Sequence, residues 1–308
     1  MSLDQIESCC LRNGDLSVTI LSLGCITQNW RLERSFPSEL ILGYTDQNAY
    51  VDDPFYLGAI VGRVANRISG ACFTMNGRDF RLDANEPPNT LHGGSDGLSR
   101  QNWSLDRDGD TRVRLSHVSP DGHAGFPCLV RFEVTITLGP DRLIYEINAL
   151  PDGQTPINLA QHNYYSLGTS GLSDLGLSVA GSRFTRRGPD GIPTGELTSV
   201  ADSILDFRKI RPVPIETDDN FVLDAKDPAA RLAASDGLTL EIHTTERCLQ
   251  VYAGAGLSGV LRPGAGVALE PQRYPNALNT PAFSSILCTP DKPYYQRTEL
   301  NLIGNPAR

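Results

Sequence analysis

The chain is poor in lysine, in histidine, in helical periodicity and in long apolar runs, and each shortage closes off a class of function. Only three of its 27 basic residues are lysines, Lys209, Lys226 and Lys292. All three sit in segments that read as loops or strand edges, which speaks against a Schiff-base lysine or a phosphate-loop lysine. Seven cysteines (Cys9, Cys10, Cys25, Cys72, Cys128, Cys248 and Cys288) contain no CxxC spacing. An odd number in a chain of this length reads as reduced thiols in a cytoplasmic protein and not as a disulfide scaffold. The vicinal Cys9 and Cys10 read as two thiols in a short N-terminal strand. No stretch approaches the roughly 18 apolar residues of a membrane span, and the acidic start of the chain lacks the apolar segment of an export signal. With 27 basic against 36 acidic residues the net charge is −9. A molecule with that field and no basic run is not expected to bind nucleic acid. HExxH and Walker motifs are missing too, so neither a metal nor a cofactor is expected.

What the chain does have is turns and alternation. Its 29 glycines and 21 prolines follow no triplet period, while 40% of the residues are apolar. That combination points to a turn-rich globular fold. From Val130 to Leu138, Val130, Phe132, Val134, Ile136 and Leu138 alternate with polar residues, the mark of a half-buried strand. Gly139-Pro140-Asp141 then makes a turn, and Leu143, Tyr145 and Ile147 resume the pattern as a hairpin. Leu238, Leu240 and Ile242 repeat it, and shorter runs at 16–21, 73–82, 113–117, 158–164 and 248–252 fit as well. Only 201–207 and 228–234 carry helical spacing, each for two turns at most. Without linker, repeat or low-complexity tract, residues 1–308 are expected to form a single domain. The expected fold is all-β, a large antiparallel β-sandwich.

Chemistry-bearing residues are few enough to weigh one by one. Among the five histidines, His117, His123 and His243 read as surface or strand-end residues. His92 lies in Asn89-Thr90-Leu91-His92-Gly93-Gly94, where paired glycines allow close backbone approach and let an imidazole project into a cleft. A structural turn histidine fits that pattern equally well. His162 is in phase with Asn158, Ala160 and Tyr164, a polar and aromatic face suited to a sugar or simply to solvent. Glu270 closes the apolar run Gly266-Val267-Ala268-Leu269. A carboxylate there is liable to desolvation, which raises its pKa and suits it to proton transfer, unless it pairs with an arginine. Two familiar strings stand in the wrong setting. The GxGxxG of 254–259 is followed by Val260-Leu261-Arg262-Pro263 instead of a helix, and the GxSxG of 93–97 is preceded by Glu86-Pro87-Pro88 instead of an apolar strand.

Eight segments, in order, resemble the aldose 1-epimerase (galactose mutarotase) family. Gly62-Arg63-Val64-Ala65-Asn66-Arg67-Ile68 is similar to GRxANRI, and Asn89-Thr90-Leu91-His92-Gly93-Gly94 to NxLHGG. Ser119-Pro120-Asp121-Gly122 with Gly125-Phe126-Pro127 looks like SPDGxxGxPG, with Cys128 replacing the last glycine. Pro156 to Tyr165 resembles PxNLTNHxYFNL, and Pro193-Thr194-Gly195-Glu196 follows. Asp218-Asp219-Asn220-Phe221 is like DxNF, Leu249-Gln250-Val251-Tyr252 like QxYTG, and Leu269-Glu270-Pro271-Gln272 like LExQ. The resemblance implies a galactose mutarotase-like β-sandwich with the sugar on an open concave face. It implies interconversion of the α and β anomers of a free aldose by ring opening and reclosure. It puts the general base on Glu270 and the general acid on His162. His92 becomes a sugar binder and possible second proton donor, and Asn66, Arg67, Asp218 and Gln250 become further sugar contacts. The implied partner is a monosaccharide, and the chain is expected to be a monomer or weak homodimer.

Three departures from the family pattern, Gln161, Asn163 and Asn276, lie beside site residues in sequence and are expected to retune substrate choice. The sequence admits two rival readings. One is a hexose 6-phosphate epimerase, which needs a cationic cluster for which Arg63 and Arg67 are candidates. The other is a non-catalytic sugar-binding protein, which has no need of both Glu270 and His162.

Overall fold

A computed structural model describes residues 6–33, 38–225 and 227–304. Lys226 and the first five residues, which belong to the expectations above, lie outside the described residues. Among the described residues every helical element is a single 3-10 turn of three or four residues. The rest of the regular structure is strand, so the expectation of an all-β fold holds.

Alternation decides which face of each strand meets the core. The Val130–Leu138 strand buries every second residue and pairs antiparallel with Arg112–Ser119 on one side and Arg142–Pro151 on the other. These belong to a nine-stranded sheet that continues through Tyr294–Ile303, Thr239–Thr244, Ala230–Ala234 and Leu175–Val179. A second, six-stranded sheet runs in the order Tyr164–Tyr165, Val267–Gln272, Cys248–Tyr252, Asp218–Val222, Arg183–Arg187, Pro193–Ser199. One apolar cluster joins them. Val134, Ile136, Tyr145, Leu240 and Leu300 of the first sheet pack in the same core as Phe221, Leu249, Val251, Val267 and Leu269 of the second. Two sheets sharing one core make a sandwich. A smaller four-stranded sheet begins with Ser8–Asn13, the strand that carries Cys9 and Cys10, and all seven cysteines are free.

Two expectations of helix fail. Residues 230–234 form a strand in which Ala230, Leu232 and Ala234 are buried, flanked on both sides by ladder partners. Period two there wins over weak helical spacing because both edges are hydrogen-bonded. In 201–207 the Ser203 hydroxyl donates to the Val200 carbonyl and accepts from the Leu205 amide, local bonds that favour a turn over a helix. The 73–82 run is also two strands, Cys72–Met75 and Arg78–Arg81. Asn76 and Gly77 between them have φ of 53° and 74°, as a two-residue hairpin turn requires.

Candidate active site

Because side chains alternate across a strand, the residues between the core positions of the six-stranded sheet all face the other way. Register sets them in rows. Gln250 pairs with Asn220 on one side and with Glu270 on the other. The adjacent row runs Asp218, Tyr252, Ala268, Tyr164. Two residues beyond the end of that ladder the same register sets His162 against Glu270, and His162 Nε2 lies 3.5 Å from Glu270 Oε1. These rows floor a pocket of about 320 Å³, lined by Asn66, Arg67, His92, His162, Asp218, Gln250 and Glu270 together with Tyr56, Tyr164 and Tyr252. All seven residues singled out from the sequence therefore meet in one cavity.

His92 arrives from outside the sheet. It follows the short strand Thr90–Leu91, which pairs with Arg67–Ile68, and has φ of 52°. Gly93 behind it approaches the Gly62 carbonyl so closely that a Cβ would fall 2.0 Å from the oxygen; only glycine lets the loop close here. The Asn66 amide donates to His92 Nδ1 at 3.2 Å, and the His92 amide returns a bond to the Asn66 carbonyl at 3.1 Å. An Nδ1 that accepts must carry its proton on Nε2 in the neutral ring. His92 thus presents an N–H donor. The rings of His92 and His162 meet edge to face at 5.3 Å between centroids, and Tyr56 packs on His92 at 4.7 Å.

Burial sets the electrostatics. Glu270, 2% exposed in its side chain, is pushed up to about 8 by desolvation, with the Asp218 charge adding and Arg67 opposing. Desolvation pulls His162 down to about 4. It holds His92 well below the usual histidine value, aided by the charges of His162 and Arg67. Glu270 Oε2 and His162 Nδ1 are buried with no hydrogen-bond partner among the described residues. Once ionised, a carboxylate with so weak a conjugate acid is a strong base, and an imidazolium of so low a pKa gives up its proton readily. Near neutral pH the resting pair keeps the proton on Glu270 and leaves His162 neutral.

Ligand atoms of His92, His162 and Glu270 lie within 4.8 Å of one another, close enough for a metal centre. The histidine tautomer speaks against it. A metal-bound histidine donates its other ring N–H to an acceptor, whereas His92 Nδ1 faces a backbone donor.

The three departures do not line the pocket. Gln161 donates to the Gly58 carbonyl and accepts from the Asn163 amide, Asn163 reaches the Tyr145 hydroxyl, and the Asn276 side chain accepts from the Ser69 amide and hydroxyl. Each is bonded to backbone or to a core hydroxyl, so any effect on substrate choice runs through the residues that do line the pocket. Arg63 likewise points away, donating to the Pro127 carbonyl and the Ser119 hydroxyl. Sequence reasoning missed Tyr56, which sits in an irregular loop with φ of 56° and no periodicity to mark it. It also missed Glu86 and Arg187, which contact the site residues Arg67 and Asp218.

Comparison with known proteins gives the family and the fold. A family model described as aldose 1-epimerase matches residues 7–301. The galactose mutarotase of Sus scrofa is 33% identical over 95% of this chain and 93% of its own length. The aldose 1-epimerase of Escherichia coli K12 is 30% identical over the same shares. Among solved structures, an aldose epimerase homologue from C. elegans superimposes with a TM-score of 0.91 at 24% identity, covering 96% of this chain and 99% of the other. The galactose 1-epimerase of Lactobacillus acidophilus gives 0.85 at 22% identity, over 97% and 98%. With its ordered motifs, its shared-core sandwich and a family match running nearly end to end, the chain belongs to the aldose 1-epimerase family.

Proposed function

We propose that this aldose 1-epimerase interconverts sugar anomers with Glu270 as base and His162 as acid. Glu270 takes the proton of the C1 hydroxyl, the C1–O5 bond breaks, and O5 receives a proton from His162. The open-chain aldehyde turns about C1–C2, and the reverse steps close the ring on either face. His92 donates its Nε2 proton to a ring substituent, while Arg67 and Asp218 hold hydroxyls by charge-assisted hydrogen bonds. Asn66 and Gln250 complete the contacts. The observation that carries the reading is the buried His162–Glu270 pair, 3.5 Å apart at the floor of the pocket. A binding protein gains nothing from burying a carboxylate and an imidazole whose outer atoms lack partners.

The phosphorylated-sugar reading loses its support. Arg67 is the one arginine on the pocket wall, no lysine joins it among the described lining residues, and its guanidinium is already engaged by Glu86. Polarimetry on galactose, glucose, xylose and arabinose, each against its phosphate ester where one exists, tests the assignment. Faster mutarotation of the free sugars is expected. Acceleration confined to the esters, or none at all, contradicts it.

A further inference from the structure

Two ion pairs of opposite sense flank Glu270. On one side Arg67 faces the pocket and Glu86 stands behind it, with Nε and Nη2 donating to the two carboxylate oxygens at 2.6 and 2.8 Å. That fork leaves the rest of the guanidinium for the cavity. On the other side the carboxylate of Asp218 faces the pocket and the cation stands behind. Arg187 Nη1 donates to Asp218 Oδ2 at 3.0 Å, while Gln250 Nε2 donates to Oδ1 at 2.7 Å. Glu86 and Arg187 are absent from the pocket wall. Each is nonetheless locked to its own element. The Glu86 loop closes through paired amide and carbonyl bonds with Asn89, and Arg187 ends a strand whose preceding residues pair with Asp218–Val222.

The groups that face Glu270 are Tyr164 from the neighbouring strand and His162 from the break just before it, Asp218 across the sheet, and Arg67 and His92 from the segments that pair above it. Of these Arg67 and Asp218 bear opposite full charges, and each has its counter-ion on the far side from the cavity. We propose that Glu86 and Arg187 are positioning residues that set the basicity of Glu270 by holding and partly neutralising Arg67 and Asp218. This rests on the reading of Glu270 as base. Removing the Glu86 charge leaves the field at Glu270 more positive and favours its carboxylate. Removing the Arg187 charge leaves the field more negative and favours the protonated acid. The two changes act in opposite directions, which loosened packing does not do.

The test is the pH profile of kcat/KM for galactose in wild type, Glu86→Gln, Glu86→Asp, Arg187→Gln and Arg187→Lys. Glu86→Gln should move the acid limb to lower pH, and Arg187→Gln should move it to higher pH, each by about half a pH unit. Both should raise KM several-fold, and the charge-keeping variants should restore the limb. An unmoved limb in both glutamine variants, or movement in the same direction, overturns the proposal. A wild-type profile with no acid limb overturns instead the assignment of Glu270 as base, and circular dichroism of each variant separates a misfolded protein from a retuned one.

Discussion

The molecule holds two histidine pairs of similar spacing and opposite character. His92 and His162 stand 5.3 Å apart at the pocket, and His117 and His123 stand 6.4 Å apart at the end of the Arg112–Ser119 strand. In the second pair the protein uses up the imidazole of His123, and Nε2 of His117, without a partner among the described residues, is buried away from the pocket. His123 Nδ1 meets the Ser119 hydroxyl at 2.9 Å, and Nε2 meets Asp96 at 2.8 Å. Ser119 in turn accepts from Arg63, which ties down the carbonyls of Pro127 and Cys128. Such a chain of bonds is a clamp, and His117 packs beside it against Trp103. In the first pair one nitrogen of His92 is fixed by backbone so that the other can donate into a cavity, and His162 faces a buried carboxylate. Chemistry is available only where the protein leaves a nitrogen unspent and aimed at space that a substrate can enter.

Substitutions should separate the pairs. His162→Ala is expected to lower kcat by about 10² to 10⁴-fold through loss of the acid, with little change in melting temperature. His92→Ala removes one hydrogen-bond donor and should lower kcat/KM by about tenfold, read by the same polarimetric assay. His123→Ala should leave kcat within a factor of two of wild type. It should cost about 1–2 kcal/mol of stability by leaving Ser119 and Asp96 short of a partner, measured by denaturant unfolding. A large kcat loss in His123→Ala, or none in His162→Ala, would erase the distinction.

Glu270 adds a signature in stability. Its folded-state pKa lies above its unfolded value, so between those values the native state holds a proton that the unfolded chain has lost. Stability therefore falls as pH rises from the ordinary carboxylate range to about 8, and is flat above. Glu270→Gln cannot ionise. Its melting temperature relative to wild type should be near zero difference at pH 4 and should become positive by a few degrees at pH 8 to 9, a small effect readable by calorimetry.

Strands that bury one face were legible from the chain alone. Val130–Leu138 matches the alternation residue for residue, because its polar positions face solvent and its apolar ones the shared core. Glu270 stood out for a related reason, being the lone carboxylate after an apolar run in the strand Val267–Gln272, which is buried throughout. The ordered motifs marked Asn66, Arg67, His92, His162, Asp218 and Gln250, but not Tyr56. What was not legible depended on contacts between distant segments. Glu86 lies 19 residues from Arg67, and Arg187 lies 31 from Asp218, with no local pattern to join them. That Gln161, Asn163 and Asn276 lie off the pocket wall has the opposite cause. Sequence adjacency to a site residue says nothing of side-chain direction, and the chain bends there. The strand breaks between Ala160–Gln161 and Tyr164–Tyr165, and Asn276 adopts φ of 54°.

The central claim is that Glu270 is the base, and Glu270→Gln tests it most directly, since the amide keeps shape and hydrogen bonding but accepts no proton near neutrality. Mutarotation of galactose followed by polarimetry, beside galactose binding by calorimetry, should show kcat reduced by about 10² to 10⁴-fold, affinity nearly unchanged, and no acid limb in the residual rate. A variant that still mutarotates near the wild-type rate contradicts the account and removes Glu270 from the mechanism.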